Sequence, residues 1–511
     1  MKSPSNDLFK LIKSLTGAER RYFKLAGAMY EGDKIYLELF NAIDKMDHYD
    51  ETALKKKLKN PAILKLLPNK KQHLQEIIMK TLRAYHEKGY LNIQIKSMVS
   101  DAEILFKKGL DSACGKMLNK AKKVAGRHEK FHTLQEIYFL EKALLKKGNV
   151  PIETVERRHK EQLALLKKAE NLLEYHHLEH YFSTISEDKI MVRDEKETSK
   201  LRSLMQNPLV REEERALSIK ARTLFYHINT VSAKNLSDNT SSCHFCLQSV
   251  RLLEDNPPFI RENPNLYIAA LLNLCAAQID SKQNKECEQT VAKLKKLKIA
   301  SPRLFSIRSL QTLHSYLLPI ELGLCVAHGN FIKGKKIIED FEALPENEKA
   351  PEANIAMAGH YHYALIYFGL GEYKQAQKNI QYITHETSVT AIDVQCFARI
   401  LLLLIHYEAG NLDILEYLIR STYRFMMKRK TVYKFETLFL GFVKNRLPAV
   451  VNQQQKLTSL FIELKEELVQ LFKDPQEARV LLFFDFISWL ESKIENRPFA
   501  EIVREKAGRG N

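Results

Sequence analysis

One spacing limits what this chain can fold into. A glycine is followed two residues on by an aromatic or aliphatic, five on by a small or aliphatic residue, and nine on by an isoleucine. Gly371, Tyr373, Ala376 and Ile380 show it best, and Gly329, Phe331, Gly334 and Ile338 repeat it. Gly410, Leu412, Leu415 and Ile419 give a third copy. The spacing predicts a helical hairpin. The glycine takes the left-handed conformation that ends the first helix, and the next residue of the set packs into the turn. The small residue lets the second helix approach closely, and the aliphatic one turn later faces the same seam.

A lone hairpin cannot cover its own apolar face, so copies must stack into a solenoid. Glycine (18) and proline (15) are scarce in the 511 residues, which favours helix throughout. Weaker copies are expected around Gly109, around Lys282 in place of glycine with Cys287 and Val291, and in the helix carrying Cys246 and Val250. In its hinge and second helix the 361–383 stretch resembles the tetratricopeptide-repeat family. The first-helix tryptophan is missing, and the glycines stand 42 and 39 residues apart, beyond the family period of about 34. The resemblance implies an all-α, right-handed solenoid of stacked hairpins whose first helices line a groove for a partner helix or peptide. The whole chain also has the look of bacterial helical-repeat proteins that carry no assigned activity. The expected organisation is a basic helical segment over 1–95, the solenoid over 96–440, and capping helices with a short flexible tail over 441–511.

The first 150 residues hold 30 Lys and Arg against 17 Asp and Glu. They therefore contribute +13 of the net +17, and the asymmetry hints at an acidic partner. Thr16 to Glu19 reads as a capping box, and Asp50 and Asn69 read as helix caps. A helix-turn-helix would place its recognition helix over 69–86, but Glu76, Lys80, Arg83 and Glu87 alternate in sign on its outer face. Two basic groups remain as candidate anion or nucleic-acid contacts. One is Lys55, Lys56, Lys57, Lys59, Lys70 and Lys71. The other is Lys116, Lys120, Lys123 and Arg127, which fall within about 60° on one side of an ideal helix. A solvated helix face explains such runs equally well.

No nucleotide-binding loop, hydrolase elbow, zinc-peptidase or calcium-loop motif is present. Glu174, His176, Glu179 and His180 lack a third ligand at a defined spacing, and Cys243 to Cys246 is a single CxxC without a second pair. No cofactor is expected, and no catalytic or metal-ligating residue is nominated. The expectation is a non-enzyme. Seven scattered cysteines and the lack of a long apolar run lead to an expected cytoplasmic protein without a transmembrane segment. The expected function is a protein–protein scaffold whose groove contacts include His360, Tyr363, Tyr367 and Tyr407. The alternative is a regulator that binds nucleic acid through residues 1–150 while the solenoid senses a partner.

Overall fold

The computed structural model describes residues 6–27, 34–58, 64–87, 89–146, 151–185, 193–300, 307–345, 353–385, 391–429, 431–450 and 454–509. Among these every regular element is helical, and no helix is long and apolar enough to cross a membrane. The chain divides into two compact units, 1–166 and 167–511, and the division falls inside the helix Ile152–Ile185.

The hinge rule read from three glycines extends to seven turns. Gly109, Glu129, Ser237, Lys282, Gly329, Gly371 and Gly410 all have positive φ, between 49° and 74°. At each, the N–H of the following residue reaches back five positions to a carbonyl at 2.7–3.0 Å, as in Asn330 to Cys325 and Glu372 to Tyr367. This bond closes the first helix and satisfies a carbonyl left open at its end. Five residues past the hinge lie Cys114, Leu134, Ser242, Cys287, Gly334, Ala376 and Leu415, all buried. Nine past it lie Leu118, Tyr138, Cys246, Val291, Ile338, Ile380 and Ile419, also buried.

Gly334 shows why the fifth position must be small. A Cβ there would come within 2.3 Å of the Ile366 side chain in the next hairpin. The Cys246 helix follows a hinge at Ser237, so Ser242 holds the fifth place and Cys246 the ninth, and after Gly109 the fifth place belongs to Cys114. The long repeat spacing comes from long helices, with first helices of 17 to 21 residues in 167–511.

In 1–166 the Thr16–Glu19 capping box forms: Glu19 accepts from the Thr16 N–H at 2.7 Å, and Thr16 Oγ1 from the Glu19 N–H at 3.3 Å. Asp50 caps its helix by accepting from Thr52 and Ala53. Asn69 does not cap. The helix starts earlier, at Leu67, because Pro68 in its first turn has φ preset and needs no hydrogen-bond acceptor.

Candidate functional site

The first basic group is largely committed to its own fold. Lys71 Nζ donates to Tyr49 Oη at 2.6 Å and to Glu51 Oε2 at 3.0 Å, and Lys55 pairs with Glu51 at 3.0 Å. Hydrogen bonds from Lys55 and Lys71 hold the Glu51 carboxyl down at about 2. Lys70 lies over the Tyr36 ring at 5.4 Å. Lys56 and Lys57 are exposed, and Lys59 lies outside the described residues.

The second group is presented outward as a set. On helix Asp111–Arg127 the buried line is Cys114, Leu118, Ala121 and Ala125, each at 0% exposure. Lys116, Lys120, Lys123 and Arg127 stand diametrically opposite at 100° per residue, and all four are exposed. None of the four pairs with a described carboxylate. Lys122, off that line, does: it reaches Glu141 at 3.2 Å and Glu161 at 3.4 Å, and its ammonium sits 4.0 Å from the Tyr138 ring centre. The helix carries five cations and a single acid, Asp111. Ser112, Ala113, Gly115, Asn119 and Gly126 leave the ground between the cations low and neutral. The crest runs about 16 Å at 1.5 Å per residue.

The first helices Ala353–Gly369 and Ile392–Glu408 are already packed by the last segment of the described chain. Tyr363 is buried, and Tyr407 packs edge-on against Trp489 and Phe461 with ring centres 6.0 and 6.2 Å away. Burial pushes the Tyr407 hydroxyl up to about 12. Tyr367 is half-buried against the same cores, and His360 shares a 2.8 Å hydrogen bond with Asn379 while its ring rests on Tyr382 at 4.0 Å. Tyr363, Tyr367 and Tyr407 are packing elements here, in clusters that segment 475–509 joins through Trp489 and Phe499, while His360 is held by the second helix of its own hairpin. Phe483 stacks on Phe397 at 4.2 Å and accepts from Tyr361 Oη through its carbonyl at 3.2 Å. Trp489 Nε1 and Lys493 Nζ both donate to Glu408, each at 2.7 Å. Arg479 donates to the Asn235 carbonyl at 3.3 Å and Arg504 to that of Gly329 at 3.4 Å, so the segment touches hinge after hinge.

A buried charge cluster fastens the same region. Arg193 donates to Glu436 at 2.6 Å and Glu477 at 2.5 Å, and its guanidinium lies 4.2 Å from the Tyr433 ring centre. Glu477 also accepts the Phe435 N–H at 3.1 Å. Burial raises the Glu436 carboxyl even beside Arg193. The sequence reading missed this cluster and the tail's role. The run LLFFDFISWL, with its dense aromatics, was the available signal for the tail.

All seven cysteines are free and buried, and burial pushes the Cys246 thiol up to about 11. Burial raises the Cys243 thiol as well, so both cysteines of the CxxC disfavour the thiolate. Glu174, His176 and His180 are exposed and Glu179 lies 3.9 Å from His227. Among the described residues no group of three or more His, Cys, Asp or Glu side chains is placed to hold a metal. Comparison with known proteins finds no family model that matches the chain and no curated protein similar to it.

Proposed function

We propose that this chain is a non-catalytic, cytoplasmic interaction protein of tetratricopeptide type, its array wound right-handed, whose N-terminal unit holds a nucleic-acid backbone on the crest of helix Asp111–Arg127. The observation that carries this reading is the exposure of Lys116, Lys120, Lys123 and Arg127 in one line, with no carboxylate partner among the described residues. Like charges on adjacent turns repel by a few tenths of a kcal/mol per pair, and a polyanion reverses the sign of that term. The seven-fold hinge register supports the tetratricopeptide assignment, and the free buried thiols support a reducing compartment.

The test is fluorescence anisotropy of the full chain with labelled duplex DNA, single strands and RNA across a salt series. Four neutralised phosphates give a log K against log salt slope of about −3.6 on duplex. Lys116→Glu with Lys120→Glu and Lys123→Glu should flatten it by about 3. Equal affinity of wild type and triple variant at low salt removes the reading.

A protein partner is the second reading, favoured by Ile332 and Tyr417, which are 74% and 68% exposed on second helices. A scaffold of this kind would use that outer surface, because the first-helix face is filled from within. Displacing the tail would mean re-exposing Phe483, Phe484, Phe486, Trp489 and Leu490. At about 2 kcal/mol each that exceeds the binding energy of a micromolar peptide, about 8 kcal/mol. Ile332→Glu and Tyr417→Glu should abolish partner capture and leave nucleic-acid affinity unchanged.

A further inference from the structure

Arg399 and Arg429 meet on one phenyl ring, without a counter-charge among the described residues. Arg399 projects from the first helix Ile392–Glu408, and Arg429 ends the second helix Leu415–Arg429. Their guanidinium carbons lie 3.6 Å and 4.9 Å from the centre of the Phe425 ring. Arg399 donates to the Gln395 carbonyl at 3.0 Å and the Thr384 carbonyl at 3.2 Å. That leaves N–H groups of its five unspent. Arg429 has its Nη1 buried with no hydrogen-bond partner.

Among the described residues no carboxylate pairs with either guanidinium. Burial lowers Arg399 first, the neighbouring Arg429 charge lowers it further, and Cys396 is the one group that raises it. Of the two acids of the same helix, Asp393 acts on Arg479 and Cys396, and Glu408 takes Trp489 and Lys493. The carbonyl of Thr384, in the last turn of helix Tyr373–His385, offers Arg399 a partial negative charge. A partial charge compensates one cation incompletely and the second not at all. Elsewhere in this unit a buried guanidinium does have its counter-ions, as Arg193 has Glu436 and Glu477.

We propose that Arg399 and Arg429 form a binding site for a doubly charged phosphate oxyanion, held by two guanidinium forks over Phe425. Planar forks with unspent N–H groups suit a tetrahedral phosphate, which accepts several bonds at once. The phosphate is either free or the monoester end of a small molecule. This site is separate from the lysine crest and does not rest on the nucleic-acid reading.

Isothermal titration calorimetry of the full chain with inorganic phosphate, adenosine monophosphate and acetate tests it. Saturable binding of phosphate or the monoester, at least tenfold tighter than acetate, is expected. Equal affinity for the two phosphates identifies free phosphate as sufficient, and tighter monoester binding identifies an ester. Arg429→Gln should weaken binding at least tenfold, and Arg429→Lys should restore only part of it. Arg399→Gln should do the same, but it removes two bonds to backbone carbonyls. If that variant unfolds, Arg429→Gln decides, because the Arg429 guanidinium holds no carbonyl among the described residues. No binding of either phosphate at 10-millimolar order, or binding untouched in a folded Arg429→Gln protein, overturns the assignment.

Discussion

Arg193→Met tests whether the chain's closure depends on its buried charges. The side chains of Arg193, Glu436 and Glu477 are 3%, 2% and 8% exposed, so water cannot replace the guanidinium once it is gone. Methionine fills similar volume and leaves two carboxylates facing each other. Breaking a buried pair from one side costs about 3–5 kcal/mol. Unfolding entropy near 2.1 cal/mol/K per residue, over the roughly 345 residues of 167–511, converts that to a fall of about 4–7 °C in Tm. Differential scanning calorimetry at pH 7 reads the shift. Adding Glu436→Gln and Glu477→Gln removes the stranded charges and should recover more than half of the loss, since neutral replacements of buried ion clusters are often tolerated. Glu436 supplies a sign check through pH. Its folded carboxyl lies above the ordinary range, so its protonated form favours folding, and that stability is lost as pH rises through the folded value. The Arg193→Met loss should therefore shrink on acidification toward pH 5, where a carboxyl without its cation takes up a proton. A Tm change under 1 °C, or a loss that the two glutamines do not relieve, would refute the reasoning.

Two further substitutions probe the hinge rule, beside the crest reversal and the phosphate titration argued above. Gly334→Ala places a methyl against Ile366 and should cost about 1–3 kcal/mol in urea unfolding, with Ile366→Val recovering part of it. Lys282→Gly relieves a left-handed lysine at φ 59° and should stabilise the chain by about 1 kcal/mol. A destabilised glycine variant would show that Lys282 is held by contacts outside the hinge.

How much was legible in the sequence follows from the range of each interaction. The hinge, the helix it starts and the buried fifth and ninth positions lie within ten residues, so the spacing carries them. The outward line Lys116, Lys120, Lys123 and Arg127 was equally readable, because helical phase alone puts it opposite Cys114, Leu118 and Ala125. The face of His360, Tyr363, Tyr367 and Tyr407 was not. Whether an aromatic on a first helix lines a groove or a core depends on what packs on it, and for Tyr407 that is Trp489, far along the chain. Arg193 meets carboxylates 243 and 284 positions away, and no local pattern predicts such a pairing.

The turns themselves show which part of a repeat signal to trust. Glycine identity marks only four of the seven hinges. Glu129, Ser237 and Lys282 adopt the same left-handed backbone at a cost of about 1–2 kcal/mol each. The backbone tolerates that because the conformation is fixed on both sides. The 5-residue return bond holds the first helix end, and the buried pair at offsets five and nine holds the second helix against it. Two anchored helices leave the residue between them one way to turn, so the seam dictates the hinge and the hinge need not be glycine. A search of this chain for glycine finds Gly109, Gly329, Gly371 and Gly410. A search for paired small or apolar residues five and nine past a helix end also reaches the other three, at Leu134 and Tyr138, Ser242 and Cys246, and Cys287 and Val291. It also sets Cys246 at the ninth place, where its thiol is buried 3.7 Å from Thr230 Oγ1.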